Sequence, residues 1–177
     1  LKRRFHAETA WQFLTWYPAN ILTRGDFGPS MQYKEWSVND ILVNSSNTGT
    51  IMVGQKLGKV ELDRYLRAFG FGKKTNVGFP GEPAGLLLDP DHWYVTSMGT
   101  VPIGNGLAVS ALQMLQVYVT LANGGLYRAP KLVEATIDEN GVRHPVESPE
   151  PHRVVSADTA GKLNTMLTKV VQEGTGS

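Results

Sequence analysis

The chain has 177 residues, of which 41% are hydrophobic, and its formal net charge is +1. This length and hydrophobic content predict one domain, or a large piece of one, with a sizeable core, and they exclude wholesale disorder. The near-neutral charge gives no electrostatic reason to expect nucleic acid as a partner. Cysteine is absent, which excludes disulfides, thiolate nucleophiles and cysteine-based metal sites.

Residues 1–31 are dense in aromatic side chains but have no clear periodicity. Their longest apolar stretch, AWQFLTWYPANIL at residues 10–22, is broken by Pro18 and is shorter than the roughly 18 apolar residues that span a bilayer. The stretch is typical either of an interfacial amphipathic segment or of ordinary core packing. We favour core packing of its aromatic side chains, Trp11, Phe13, Trp16 and Tyr17.

Helical patterns begin after this segment. Ser37 is placed to cap a helix, with Asp40 at the third helical position. The triplet SSN at 45–47 interrupts that pattern, because serine and asparagine compete with the helical backbone for hydrogen bonds. A second helical run ends at Gly58. The third predicted helix, within residues 59–72, has its apolar residues at helical spacing: Leu62, Tyr65, Leu66 and Phe69.

The second half of the chain alternates loops with two further helices and a hairpin. Residues 73–104 are rich in glycine and proline and predict a loop with short extended pieces. Residues 127–146 predict two strands joined by a turn at 139–141, where Asn-Gly is a strong hairpin signal. Helices, loops and a hairpin together indicate the α+β class. The two helices are capped by Ser110 and Ser156, with apolar stripes at Leu112, Leu115, Val119 and Ala122, and at Leu163, Met166, Leu167 and Val170.

No cofactor or metal is expected. The four histidines are scattered, and the stretch Asp89–His92 is more typical of a loop than of a metal site. The glycine-rich stretches match neither the P-loop nor the dinucleotide fingerprint.

A serine nucleophile needs a base within hydrogen-bond reach. No serine here has a lysine three residues later, and G-x-S-x-G is absent. The stretch at 74–76 comes close to a K-T-G element, but asparagine replaces the glycine that would let a strand approach a substrate closely. On the residues alone, SSN is best explained as a capped helix junction, with Asn47 available as the cap of the second helix.

The order of segments from Trp36 to about Gly174 resembles the transpeptidase domain of class B penicillin-binding proteins, which cross-link the bacterial cell wall. Division-type members from actinobacteria and other Gram-positive bacteria look most similar. The resemblance implies the fold shared with serine β-lactamases, mostly its helical part plus a hairpin, with residues 36–177 as a partial domain and residues 1–35 unplaced. The matching segments are EWSVNDILVNSSNTGTIMVGQKLG, LRAFGFGKKTNVGFPGEPAGLL, PIGNGLAVSALQMLQVYVTLANGGLYRAPKLV and RVVSADTAGKL.

Three motifs define the site of this family: S-x-x-K, S-x-N and K-T-G. The SSN triplet matches the second, so the resemblance implies that Ser45 and Asn47 are catalytic and point into a cleft, while Ser46 points away or packs. A serine hydroxyl can relay a proton, and an asparagine amide can hold a substrate carbonyl and orient a lysine.

The resemblance implies serine acyl transfer on the D-Ala-D-Ala end of peptidoglycan stem peptides, and binding of β-lactams, which imitate that dipeptide. It also implies division or elongation proteins as partners, no nucleic acid, and a place on the extracytoplasmic face of the bacterial membrane, with any anchor outside this chain.

The chain departs from the family pattern because it has neither S-x-x-K nor K-T-G. Three explanations are open: missing C-terminal strands, missing segments before Trp36, or a decayed relative. We favour a piece of a longer enzyme, and the alternative is a non-catalytic binding or scaffold module of the same fold.

Overall fold

The computed structural model of the chain describes residues 21–24 and 33–176. Most of the aromatic stretch, including Trp11, Phe13, Trp16 and Tyr17, lies outside the described residues, so neither interpretation of it is tested. Within the described ranges, no helix is both long enough and apolar enough to cross a bilayer.

The described residues form five α-helices, short antiparallel strand pairs and, within residues 90–103, three short 3-10 helices. The α-helices are α1 (Val38–Val43), α2 (Asn47–Leu57), α3 (Lys59–Ala68), α4 (Ala111–Ala122) and α5 (Ala157–Glu173). The strands are β1 (Ile21–Arg24), β2 (Tyr33–Trp36), β3 (Leu86–Leu87), β4 (Leu107–Ala108), β5 (Leu126–Tyr127), β6 (Ala135–Ile137), β7 (Arg143–Pro145) and β8 (His152–Arg153). β1 pairs with β2, β3 with β4, β5 with β8 and β6 with β7. This arrangement confirms the predicted α+β class.

Serine hydroxyls cap three of these helices where the sequence predicts them. At α1, the Ser37 hydroxyl accepts from the Asp40 N–H at 3.2 Å, and the Asp40 carboxylate accepts from the Ser37 N–H at 2.9 Å. Ser110 and Gln113 make the same reciprocal pair at α4, and Ser156 caps α5. The caps satisfy N–H groups that a helix start leaves without an intrahelical partner.

The main core lies where α3, α4 and α5 meet β5 and β8. Phe69, Leu163 and Leu167, from the predicted apolar faces of α3 and α5, pack against it. Each fully buried large apolar side chain contributes about 2 kcal/mol. This burial fixes α5, whose far end then contacts α1. The buried core residues are Tyr65, Leu121, Tyr127, Val154, Val155 and Ala160.

The apolar stripe predicted on α4 does not face the core. Leu115 and Val119 are exposed, whereas Gln113 is only 1% exposed. The Gln113 amide donates to the carbonyls of Lys73 at 2.8 Å and Ala84 at 3.0 Å. The loop before α4 leaves these carbonyls without strand partners, and satisfying them inside the protein outweighs the apolar pattern of the helix. The remaining members of the stripe are Leu112, which is half-buried, and Ala122, which is exposed.

The predicted hairpin is confirmed, with Ile137 of β6 opposite Arg143 of β7. Gly141 has a φ of +79°, and its N–H donates to the Asp138 carbonyl at 3.0 Å. The Asp138 N–H donates to the Val142 carbonyl at 3.0 Å, and this bond closes a three-residue turn at 139–141, where the sequence predicts it, and not a two-residue one.

The near-match to K-T-G lies in a loop closed by Glu82. Thr75 is buried, and its hydroxyl donates to the Glu82 carboxylate at 2.5 Å, while its N–H donates at 2.7 Å. Asn76 adopts a φ of +61° and also donates its N–H to Glu82. The threonine hydroxyl is therefore used to hold the loop together.

These hydrogen bonds, the Thr75 hydroxyl first, hold the pKa of Glu82 below its usual 4.5. A carboxylate with a lowered folded-state pKa stabilises the fold above its unfolded pKa, and the contribution is lost as the pH falls through the folded value. We therefore expect the melting temperature of Glu82→Gln to fall less than that of wild type between neutral pH and about pH 3. Melting curves across this range measure the difference. Glu139→Gln, at an exposed turn position, is the control, and a wild-type acid response in Glu82→Gln would contradict the expectation.

Candidate active site

The junction between α1 and α2 is a sharp turn. Asn44 ends α1, Ser45 has a φ of +53°, and Ser46 is extended with φ −71° and ψ 111°. The N–H of Ser45 donates to the Leu42 carbonyl at 3.2 Å, and the N–H of Ser46 donates to the Ile41 carbonyl at 2.9 Å. The predicted helix break at SSN is confirmed.

Ser46 faces the interior of this junction. It is 1% exposed, and its hydroxyl accepts from the Gly49 N–H at 3.1 Å. Ser46 is therefore the N-cap of α2, and the prediction that Asn47 fills this role is wrong, since Asn47 is the first helical residue. The extended backbone at Ser46 lets its short side chain reach forward to an unpaired N–H of the first turn. The helices are close here, because a Cβ on Gly49 would lie 2.6 Å from the Ile41 side chain.

Ser45 and Asn47 face the opposite way. The backbone is left-handed at Ser45 and helical at Asn47, and both side chains lie on the solvent side of the buried Ser46. Both are exposed, and neither side chain makes a hydrogen bond to the residues that the structure describes. A hydroxyl and an amide are thereby available side by side to a ligand. Their catalytic roles remain predictions.

Ser45 holds a conformation that non-glycine residues seldom adopt. The left-handed region costs an L-residue about 1–2 kcal/mol, and among the described non-glycine residues it is shared only by Asn76. Glycine at this position would avoid that cost. Strain at a residue whose side chain is outward and unpaired is typical of functional positions.

The end of α5 also contacts the junction, which the sequence did not predict. The Thr175 N–H donates to the carbonyl of Val43, the last residue of α1, at 3.4 Å. Val43 precedes Ser45 by two residues. The only sequence signal for this contact is the pair of glycines that flank Thr175.

The other candidate groups lie apart from this turn. Asp89 caps a 3-10 helix by accepting from the Asp91 N–H at 3.0 Å. In the part of the chain that the structure describes, no three acidic or histidine side chains form a group able to hold a metal. A surface cavity of about 370 Å³ includes neither Ser45 nor Asn47. Its lining residues are Arg128, Ala129, Lys131, Ser148, Pro149 and Pro151.

Comparison with known proteins places the chain in a family. The family model of the penicillin binding protein transpeptidase domain matches residues 10–177. Penicillin-binding protein PbpB of Mycolicibacterium smegmatis is 41% identical over 137 residues, which are 77% of this chain and 21% of that protein. Peptidoglycan D,D-transpeptidase FtsI of Escherichia coli is 37% identical over 98 residues, 55% of this chain and 16% of that protein. The chain thus spans about a fifth of the curated relatives that it matches.

A solved structure shows the same fold. Penicillin binding protein 3 of Mycobacterium tuberculosis, complexed with ampicillin, superposes with a TM-score of 0.78 at 36% identity. The match covers 84% of this chain and 33% of that one, which confirms the expected fold. With the family model covering nearly every residue, and Ser45 and Asn47 exposed at a helix junction, this chain belongs to the penicillin-binding protein transpeptidase domain family, in its class B branch.

Proposed function

We propose that this chain supplies the S-x-N wall of the active site in a D,D-transpeptidase that cross-links peptidoglycan stem peptides and binds β-lactams. The observation that carries the proposal is the outward, unpartnered pair Ser45 and Asn47 on a strained turn. The name of a relative, peptidoglycan D,D-transpeptidase, and the ampicillin complex of a structural neighbour support the reaction class.

The reaction is acyl transfer through a covalent intermediate. A serine hydroxyl attacks the carbonyl between the two D-alanines, its proton passes to a base, and D-alanine leaves. An amine of a second stem peptide then takes the acyl group and regenerates the serine. The nucleophile and the lysine of S-x-x-K are not among the 177 residues, so the proposal requires them from other parts of the protein.

In this reaction, Ser45 transfers a proton and Asn47 holds the substrate. The Ser45 hydroxyl both donates and accepts hydrogen bonds, so it can pass a proton between the lysine and the leaving amine. The Asn47 amide can donate to a carbonyl of the stem peptide and accept from the lysine. Both side chains are free to do so because Ser46 alone serves the packing of the turn.

Protein partners and cellular location belong to the same proposal. Stem peptides lie outside the cytoplasm, so we place the enzyme on the extracytoplasmic face of the membrane. Division or elongation proteins are the expected partners.

The test is covalent labelling of the protein expressed from the complete reading frame that contains this chain. Incubation with a fluorescent penicillin is expected to give a labelled band that survives denaturing gel electrophoresis, because the acyl-serine bond is covalent. Heat-unfolded protein is the negative control, and prior incubation with ampicillin is expected to abolish the band.

A folded protein that takes up no label would contradict the proposal. It would favour the alternative, a non-catalytic binding or scaffold relative of the same fold. The nucleotide sequence upstream of the codon for Trp36 separates the two independently, since an S-x-x-K element there would remove the alternative.

A further inference from the structure

The segment after α5 packs against the SSN junction without space for a side chain. A Cβ added to Gly174 would lie 2.3 Å from the Val43 carbonyl oxygen and 2.9 Å from the Val170 carbonyl oxygen. Real Cβ atoms essentially never approach so closely, and both neighbours are backbone atoms that cannot rotate away. Alanine at 174 would therefore have to push the α5 terminus and the end of α1 apart.

This requirement for glycine is steric and not conformational. Gly174 has φ −113° and ψ −155°, an extended backbone that any residue adopts. Glycine is needed at position 174 because a residue without a side chain lets this backbone approach the backbone at the end of α1. A substitution here tests the contact itself, without the cost of a left-handed conformation.

The contact completes the hydrogen bonding at the end of α1. A helix end leaves its last carbonyls without intrahelical partners. The Ile41 and Leu42 carbonyls accept from N–H groups inside the turn, those of Ser46 and Ser45. The Val43 carbonyl accepts from Thr175 instead, so this bond connects the turn to a separate helix. Because the main core holds α5 in place, the hydrogen bond from Thr175 anchors the turn to a fixed part of the fold.

We propose that residues 174–176, here called the strap, hold the Ser45–Asn47 turn in its working geometry, and that Gly174 is a positioning residue for acyl transfer. The catalytic part of this inference rests on the proposed function. A Cβ at position 174 would press on the Val43 carbonyl and displace the residues that lead into Ser45. Displacements of about 1 Å in a positioning group slow catalysis by about 10²-fold.

The first experiment measures the turn itself in the protein from the complete reading frame. In Gly174→Ala, we expect the amide NMR signals of the SSN triplet to shift and hydrogen exchange at the Ser46 amide to quicken about tenfold, because its bond to Ile41 loosens. Gly161→Ala is the matched control. It lies on α5, the helix that Gly174 follows, at a position where an added Cβ has no neighbour within 4 Å, and it is expected to leave those signals in place.

A second variant covers the case in which Gly174→Ala does not fold. Thr175→Pro removes the N–H that reaches the Val43 carbonyl but adds nothing at position 174. It is expected to shift the same signals. Unchanged signals at the triplet in a folded Gly174→Ala, or in Thr175→Pro, would overturn the strap.

The second experiment measures β-lactam acylation in the protein from the complete reading frame. A positioning role predicts an acylation rate constant lower by about 10²-fold in Gly174→Ala, with the labelled fraction at completion unchanged. A merely structural role predicts the opposite, a smaller labelled fraction that reacts at the wild-type rate, and this result would overturn the catalytic part. If wild type itself takes no label, the proposed function fails, while the NMR result still decides whether the strap exists.

Discussion

Asn47→Ala is expected to slow acylation by a β-lactam about 10²-fold, since loss of one preorganised contact costs about 3 kcal/mol of transition-state stabilisation. The free energy of unfolding is expected to change by about 1 kcal/mol or less. The structure supports this separation, because Asn47 is exposed and has no side-chain partner among the described residues. The cap of α2 is Ser46, so removing the Asn47 amide leaves the helix start intact.

The measurement is the acylation rate constant of the protein from the complete reading frame, together with a denaturant titration. Asn44→Ala is the matched control, because it removes an identical amide three residues away that bonds to the Asp40 carbonyl at 2.9 Å. We expect Asn44→Ala to acylate at close to the wild-type rate. An unaltered rate in Asn47→Ala, combined with a clear loss of stability, would show that SSN is only a helix cap.

Gln113→Leu is expected to lower the free energy of unfolding of the 177-residue chain by about 3 kcal/mol or more. The buried amide donates to the Lys73 and Ala84 carbonyls, and its oxygen accepts from the Ser110 N–H at 2.7 Å. Leucine has a similar volume, so the change removes these hydrogen bonds without opening a large cavity. Each buried polar group left unpaired costs about 1–3 kcal/mol.

The matched control is the reverse exchange on the same helix, Leu115→Gln. Leu115 is 54% exposed, so this change is expected to alter stability by about 0.5 kcal/mol or less. Urea titration of both variants measures the comparison. If Leu115→Gln proved the more destabilising of the two, the apolar stripe would be the core face of α4 and the observed orientation of the helix would be refuted.

Both local hydrogen bonds and tertiary contacts shape the SSN turn. The chain leaves α1 through the left-handed backbone at Ser45, and the Ser46 hydroxyl then caps the start of α2. Of the three residues of the triplet only Ser46 is buried, and its hydroxyl accepts from the Gly49 N–H.

Local signals determined much of this fold. The caps at Ser37, Ser110 and Ser156, the helix end at Gly58 and the hairpin around Gly141 all depend on residues within a few positions of one another. Such short-range hydrogen bonds and backbone preferences are written directly in the sequence. The position of the SSN break was predicted for the same reason.

Tertiary structure alone decided which groups meet over long distances. Gln113 is buried because loop carbonyls some 30 to 40 positions away need a donor, which no periodicity within α4 reveals. The contact of Gly174 with Val43 joins residues 131 positions apart, and glycine is needed there only because two backbones converge. The sequence by itself determined the helices, their caps, the hairpin and the break at SSN, because these depend on short-range hydrogen bonds and backbone preferences. Packing between distant residues decided which faces are buried and which contacts support the turn.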